Sequence, residues 1–239
     1  MPDQAKVLPL LKRWQEGPGL PPDERRFLYL SYLAATSEPL FLALFRHPNQ
    51  FRTVASQLHR PPPMDRDTMD EALARFLLSL RNLDTASALA AFRVYQTARI
   101  LLQDVLGLLP FGQVTRELST LADVLIQRAM NITYQEVRET LGLPQKRSRT
   151  GRFVPCELAV FALGKLGGQE LNYASDVDLI FFYEEDGATD KGQTNASFFR
   201  QWIRDSLALL SRPTPYGACL RIDTTLRPRG RDGELALAF

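Results

Sequence analysis

Three shortages narrow the classes of protein that this sequence can encode: it has little cysteine, little net charge and no long apolar run. Its two cysteines, Cys156 and Cys219, lie in apolar, strand-like stretches without the spacing of metal ligands, so we expect both in the core. A balance of 29 basic and 27 acidic residues leaves a net charge of +2 and no general attraction to nucleic acid or to a membrane surface. No run approaches the length of a membrane span, and the amino terminus lacks the apolar core of a signal peptide, so we expect a cytoplasmic protein.

The first 143 residues have a helical pattern that proline and glycine interrupt. We predict an all-α region here, residues 1–143, with no strand. One helix is predicted to open at Pro22 and Asp23, and the next to run from near Ser37 to just before Pro48. Another helix follows a proline-rich break at 61–64, and two long helices span about 84–106 and 113–141. The last helix carries an apolar stripe at helical spacing, which we interpret as core: Leu118, Leu121, Leu125 and Met130.

The pattern changes at residues 144–153, a polar and basic stretch that we interpret as a domain linker. A solvated loop explains its charge, and contact with a phosphate-bearing partner is the alternative. Residues 154–239 then combine short runs rich in β-branched and aromatic residues, CELAVFAL, VDLIFFY and YGACLRIDTTL, with one amphipathic helix at about 194–212. We therefore predict an α+β fold in which the helical region precedes a small sheet with flanking helices.

Two carboxylates, Asp176 and Asp178, stand one residue apart where the apolar run VDLIFFY begins. Residues two apart on a strand point to the same face, so both charges would lie together at the edge of an apolar segment. A hard divalent cation removes this repulsion, and oxygen-only ligands favour Mg²⁺, which also binds phosphate oxygens. The pair therefore indicates a metal site.

A glycine turn precedes this pair in the segment GKLGGQELNYASD. Gly167 and Gly168 let the backbone approach a ligand closely, which suits a phosphate. A glycine pair alone is weak evidence, but together with Ser175, the Asp-Val-Asp motif and a strand on each side it indicates nucleotidyl transfer. The alternative is a hairpin turn whose aspartates cap a loop.

A third carboxylate, Asp223, follows an apolar run in a later strand and precedes Arg227, Arg229 and Arg231. A site with two Mg²⁺ ions needs bridging and additional ligands, which Asp223 would supply. The guanidinium groups could hold phosphate oxygens bidentately. Taken alone, Asp223 is equally well explained as a surface turn residue.

The segments ALGKLGGQELNYASDVDLIFFY and RIDTTLRPRGRDGELAL resemble the bacterial glutamine synthetase adenylyltransferase/adenylyl-removing family, whose members attach AMP to glutamine synthetase and remove it. A weaker likeness extends back through SEPLFLALFRHPNQF and RELSTLADVLIQRAM, so the resemblance covers nearly the whole chain. The family is similar to the polymerase-β superfamily and carries two copies of the nucleotidyltransferase fold. The helical lead-in resembles that of the amino-terminal, deadenylylating copy.

This resemblance implies phosphorolysis: inorganic phosphate attacks the AMP–tyrosine bond on glutamine synthetase and releases ADP. Glutamine synthetase would be the substrate, ATP or ADP and phosphate the small ligands, and a PII-type signalling protein a further partner. The implied roles are two Mg²⁺ ions held by Asp176, Asp178 and Asp223, and phosphate contacts from Gly167, Gly168, Ser175 and Arg227. Lys165 is either a phosphate contact or a solvated lysine, and Asn172 and Tyr173 are expected to shape the turn.

Two features depart from the family pattern. Thr225 occupies a position that is usually arginine, which removes one expected basic contact, and the family's enzymes are several times longer than this chain. Either residues 154–239 are a catalytic core truncated at its carboxyl end, or the chain is a natural short relative that lacks the second catalytic copy and the helices that follow the first. Two alternatives remain open: forward transfer of AMP from ATP to a protein tyrosine, and a non-catalytic module that binds glutamine synthetase or a PII-type protein.

Overall fold

A computed structural model describes residues 8–10, 12, 24–45, 47–58, 64–80 and 82–239. The principal helices are α1 (Glu24–Thr36), α2 (Glu38–Phe45), α3 (Pro48–Gln57), α4 (Arg66–Ser79), α5 (Thr85–Val105), α6 (Phe111–Leu141), α7 (Gly164–Gly167) and α8 (Asn195–Ser211). The strands are β1 (Gln145–Arg147), β2 (Phe153–Pro155), β3 (Leu158–Ala162), β4 (Val177–Tyr183), β5 (Ile222–Asp223) and β6 (Leu237–Ala238), with a 3₁₀ turn at Gly230–Asp232. The α+β fold is therefore confirmed.

The helical lead-in follows the sequence pattern closely, with one helix that the pattern did not reveal. Pro22, Asp23 and residues 61–63, where we placed a helix start and a break, lie outside the described residues. Helix α2 ends at Phe45, before Pro48 as predicted, and Pro48 then begins helix α3, which was not predicted. Proline suits the first position of a helix because its missing N–H would have no intrahelical acceptor there. At α5, the Asp84 carboxylate caps the helix by accepting from Ser87 N.

The long helices α5 and α6 form the centre of the helical part. The predicted stripe on α6 is buried at all four positions, Leu118, Leu121, Leu125 and Met130. Cys156 and Cys219 are also buried and unbonded to each other, as expected. One apolar cluster extends from α6 through β4 to α8, because Leu125, Val177 and Ile203 all belong to it.

The principal sheet has the order β3–β4–β5, and β6 also pairs with β4. Strands β3 and β4 are antiparallel, whereas β5 and β6 run parallel to β4. Along β4 every second residue from Val177 to Tyr183 is buried, while the residues between them are half-buried. The segment predicted as the last strand, YGACLRIDTTL, is extended in the sheet only at Ile222–Asp223.

The stretch at 144–153 is more ordered than the linker that we predicted. Its ends pair as the antiparallel strands β1 and β2, with Lys146 opposite Val154. Packing also joins the regions before and after it: Trp202 Nε1 on α8 donates to Met130 O on α6 at 2.8 Å, and the hydroxyls of Thr133 and Ser206 are 2.6 Å apart. The linker is thus a hairpin, and the division at 143 and 154 stays a prediction.

Among the described residues, no helix is both long and apolar enough to cross a membrane.

Candidate active site

Asp178 and Asp223 face each other across two neighbouring parallel strands. They are register partners in the β4–β5 pair, and Val177 pairs with Ile222 beside them. Neighbouring strands lie about 4.8 Å apart, and side chains at paired positions leave the same face of the sheet. Both aspartates are half-buried. The structure therefore brings together two of the three carboxylates that the sequence indicated.

The Asp223 carboxylate is oriented by the chain that follows it. Its Oδ1 accepts a hydrogen bond from Thr225 N at 2.7 Å, the short-range contact by which aspartate stabilises a turn. Thr225 is the residue that departs from the family pattern. Its backbone N–H makes this contact, which any residue except proline can provide.

Asp176 is placed differently from the other two aspartates. It is exposed, precedes β4 by one residue, and its Oδ1 lies 2.7 Å from Arg221 Nε. Arg221 also donates from Nη2 to Ala174 O at 2.7 Å, so it ties Asp176 to the preceding loop. In the part of the chain that the structure describes, no three carboxylate, histidine or cysteine side chains gather as a metal site. Asp176 would have to leave Arg221 to join the other two.

Gly164, which we did not select from the sequence, lies against Asp178. Its φ is +54°, a conformation that favours glycine, and a Cβ placed on it would lie 2.9 Å from Asp178 Oδ2. Leu163 N, next to it, donates to the backbone oxygen of Asp178 at 2.9 Å. The glycine thus keeps open the space beside the carboxylate. No sequence pattern that we used could have revealed this, because the contact depends on the β3–β4 register.

Gly167 and Gly168 have different surroundings. A Cβ on Gly167 would lie 2.5 Å from Ala162 O, so glycine is needed where α7 turns back on β3. A Cβ on Gly168 would approach only the flexible Glu170 side chain, at 3.3 Å. The close backbone approach at Gly167 is within the protein, and contact of either glycine with phosphate stays a prediction.

The loop between α7 and β4 is folded by its own side chains, as expected for Asn172 and Tyr173. Asn172 Oδ1 accepts from Ala174 N at 3.1 Å and from Ser175 Oγ at 2.7 Å. Tyr173 donates its hydroxyl to Asp104 on α5 at 2.9 Å. Partial burial, followed by this hydrogen bond, raises the pKa of Tyr173 above its usual range. Since the Ser175 hydroxyl is used in the turn, a phosphate contact from it would require this turn to rearrange.

The predicted basic contacts are dispersed. The side chain of Lys165 is exposed and makes no hydrogen bond or ion pair with the described residues, although its backbone oxygen accepts from Glu170 N. Arg227 is half-buried and stabilises its own turn, donating to Thr224 O at 2.8 Å and Gly233 O at 3.1 Å. Arg229 is exposed and has a left-handed backbone, with φ +66°, and the side chain of Arg231 lies outside the described part.

The Asp178–Asp223 pair has the chemistry that a magnesium ion requires. Its donors are all carboxylate oxygens, which Mg²⁺ prefers, and two like charges at paired positions repel without a cation. The missing Cβ of Gly164 leaves room at Asp178 Oδ2. These residues fit one ion, and a second ion would also need Asp176.

Comparison with known proteins agrees with the resemblance in the motifs. The family model for glutamate-ammonia ligase adenylyltransferase matches residues 28–239. Among curated relatives, the bifunctional glutamine synthetase adenylyltransferase/adenylyl-removing enzyme of Neisseria meningitidis serogroup A is 36% identical over 159 residues, 65% of this chain and 17% of that enzyme. The enzymes of the same name from Hahella chejuensis and Shewanella frigidimarina are each 37% identical, over 67% and 64% of this chain and 17% and 16% of their own lengths.

The chain thus spans about a sixth of the length of the curated relatives that it matches. The matched region includes the helical lead-in as well as the sheet that carries the aspartates. On this evidence the chain belongs to the glutamate-ammonia ligase adenylyltransferase family.

Proposed function

We propose that the chain removes AMP from adenylylated glutamine synthetase by Mg²⁺-dependent phosphorolysis and so takes part in the regulation of nitrogen assimilation in the cytoplasm. The observation that carries the proposal is the pairing of Asp178 with Asp223 on one face of the sheet. A carboxylate pair of this kind serves metal-assisted phosphoryl chemistry. The names of the related enzymes suggest the protein substrate, glutamine synthetase.

The proposed reaction exchanges one phosphate ester bond for a phosphoanhydride bond. An oxygen of inorganic phosphate attacks the phosphorus of the AMP group, the bond from phosphorus to the tyrosyl oxygen breaks, and ADP leaves. The tyrosyl oxygen takes up a proton and becomes the free phenol. Magnesium, when bound, supplies positive charge that stabilises the charge developing on the phosphoryl oxygens and on the leaving oxygen.

The residues of the chain would bind and orient the reactants. Asp178 and Asp223 would hold the metal, and Asp176 would add a ligand after it leaves Arg221. The glycine turn at Gly167 and Gly168, with Ser175, Lys165 and Arg227, would contact phosphate groups. Removal rather than addition of AMP is favoured because the helical lead-in, which lies within the matched region, resembles that of the deadenylylating copy.

The test is release of ADP when the purified chain is mixed with AMP-modified glutamine synthetase, phosphate and Mg²⁺. ADP that depends on phosphate and disappears in Asp178→Ala, but not in the exposed-site control Asp67→Asn, is the expected result. Transfer of AMP from ATP to unmodified glutamine synthetase, with no phosphate-dependent ADP, would replace the proposal by the forward reaction. Binding of glutamine synthetase or a PII-type protein without either reaction would leave the non-catalytic module.

A further inference from the structure

A basic site, distinct from the predicted basic contacts named above, lies next to the loop that precedes Asp176. Arg93 on α5 lines two clefts, of about 410 Å³ and about 580 Å³. Its Nε is fully buried and has no hydrogen-bond partner among the residues that the structure describes. A buried donor without an acceptor costs free energy, roughly 1–3 kcal/mol and more for a charged group. The Nε–H of Arg93 therefore calls for an acceptor that the described part of the chain does not provide.

The charged side chains that line the two clefts, among the described residues, are both arginines. Arg221 lines the smaller cleft with Arg93, and no carboxylate lines either cleft among the described residues. Burial, the largest cause, and the nearby positive charge of Arg221 both lower the pKa of Arg93. Arg221 is largely exposed and pairs with Asp176, so the buried Arg93 supplies most of the unpaired positive charge here, and that charge favours a negatively charged ligand.

Neutral donors complete the arrangement. Thr97 stands one helical turn after Arg93 on α5, lines both clefts and is 8% exposed. Its hydroxyl makes no hydrogen bond with the described residues and can donate to the same ligand. Gly217 lines the larger cleft with φ +80°, and a Cβ placed on it would lie 4.0 Å from Arg93 Nη2, an ordinary contact distance.

We propose that Arg93, Thr97 and Arg221 form a binding site for a phosphate group. Guanidinium groups bind tetrahedral oxyanions bidentately, and a hydroxyl supplies a further donor. The site adjoins the candidate active site through Arg221, which lines the cleft and also pairs with Asp176. The phosphate group comes either from free inorganic phosphate or from a nucleotide. That this bound group is the phosphate that attacks the AMP group rests on the proposed function. The existence of the binding site does not depend on that function.

Calorimetric titration of the full 239-residue chain with inorganic phosphate, and separately with ADP, tests the proposal without any turnover. Sodium chloride at equal ionic strength is the control for screening. We expect one site, with binding at least about tenfold weaker in Arg93→Met, which keeps the length of the side chain but loses its charge-assisted bonds. Thr97→Val, which keeps the shape, is expected to weaken binding about threefold or more.

The matched control is Arg204→Met, since Arg204 is an exposed arginine on α8, and its affinity for phosphate should match that of the parent chain. Circular dichroism and thermal unfolding establish that each variant is folded. Tight binding of phosphate identifies the free ion as the ligand, whereas binding of ADP alone, lost in Arg93→Met, identifies a nucleotide phosphate. Unchanged affinity in folded Arg93→Met and Thr97→Val, or no binding of either ligand by the folded parent, would overturn the proposal. Failure of ADP release with binding intact would count against the proposed function alone.

Discussion

Asp178 and Asp223 are register partners on the parallel strands β4 and β5, although 44 residues of chain lie between them. Alternation along β4 puts Val177 and Leu179 into the core and Asp178 on the other face. The contact between Asp223 Oδ1 and Thr225 N then orients the second carboxylate. The sheet, rather than a flexible loop, thus determines the spacing of the two charges, and this is the geometry on which the proposed metal site depends.

If these two carboxylates hold one ion, the effects of removing each of them on the rate of ADP release should not be additive. We expect Asp178→Asn and Asp223→Asn each to lower the rate of ADP release at least about 100-fold, because a bound metal supplies several kcal/mol of charge stabilisation. The double variant should be scarcely slower than either single variant, as for groups that act as a unit. Steady-state rates at saturating Mg²⁺ check this, and fully multiplicative effects would contradict a shared ion.

The Asp176–Arg221 pair should matter more for metal binding than for stability. The two side chains are 60% and 67% exposed, and such pairs contribute less than about 1 kcal/mol. We expect Asp176→Asn to change the free energy of unfolding by less than about 1 kcal/mol and yet to weaken Mg²⁺ binding, since one candidate ligand is lost. Urea unfolding and calorimetric Mg²⁺ titration measure the two effects. An unchanged Mg²⁺ affinity would remove Asp176 from the proposed site.

Gly164→Ala should disturb Asp178 directly. Both the positive φ and the approach of 2.9 Å to Asp178 Oδ2 oppose a methyl group. Gly151→Ala is the matched control, because Gly151 has φ +79° and nothing within 4 Å of a Cβ. We expect both variants to lose about 1–2 kcal/mol of stability from the left-handed backbone, but only Gly164→Ala to weaken Mg²⁺ binding and activity. Equal Mg²⁺ affinities in the two variants would contradict the role assigned to Gly164.

The pattern of apolar and polar residues within short segments predicted much of the fold. The run VDLIFFY coincides with β4, and α5 and α6 lie within two residues of their predicted bounds, because apolar runs and helical periodicity are properties of short segments. Asp178 and Asp223, both named from the sequence as metal ligands, are register partners, while their role at a metal stays a prediction. The predictions of these helices and of β4 needed no information about how distant segments pack.

The contacts that escaped prediction are long-range. The approach of Gly164 to Asp178 depends on the β3–β4 register, and the pairing of Arg221 with Asp176 depends on β5 lying beside β4. The burial of Arg93 depends on the packing of α5 against the segment around Gly217. The β1–β2 hairpin was missed because its polar, basic sequence has no apolar alternation, so its strands are specified by pairing rather than by burial.

Both cysteines should be unreactive while the chain is folded. Burial raises the pKa of the Cys219 thiol to about 12 and also raises that of Cys156. At pH 8 the reactive thiolate of Cys219 is therefore much scarcer than in a free thiol. We expect negligible alkylation of the native chain by iodoacetamide, and modification of both residues in guanidinium chloride, as read by mass spectrometry. Rapid labelling of Cys219 in the native chain would contradict its burial.

The buried ion pair between Arg99 and Glu117 should hold α5 to α6 and should be costly to break on one side. The Arg99 Nη2 to Glu117 Oε1 distance is 2.5 Å, both side chains are almost fully buried, and Met64 N also donates to Oε1. Arg99→Met leaves a buried carboxylate without its partner, so we expect a loss of about 3–5 kcal/mol in the free energy of unfolding, measured in urea. Glu71→Gln, which breaks the exposed Arg75–Glu71 pair on α4, should cost at most about 0.5 kcal/mol.

The double variant Arg99→Met/Glu117→Leu separates loss of attraction from the cost of an unpaired charge. If the unpaired charge dominates, removing Glu117 as well should restore part of the stability lost in Arg99→Met, even though no attraction has been regained. Recovery should be incomplete, because Met64 N loses its acceptor and the Gln96 and Gln103 side chains lose the arginine that donates to both. A double variant less stable than Arg99→Met would instead mean that Glu117 stabilises the fold chiefly through its bond to Met64 N.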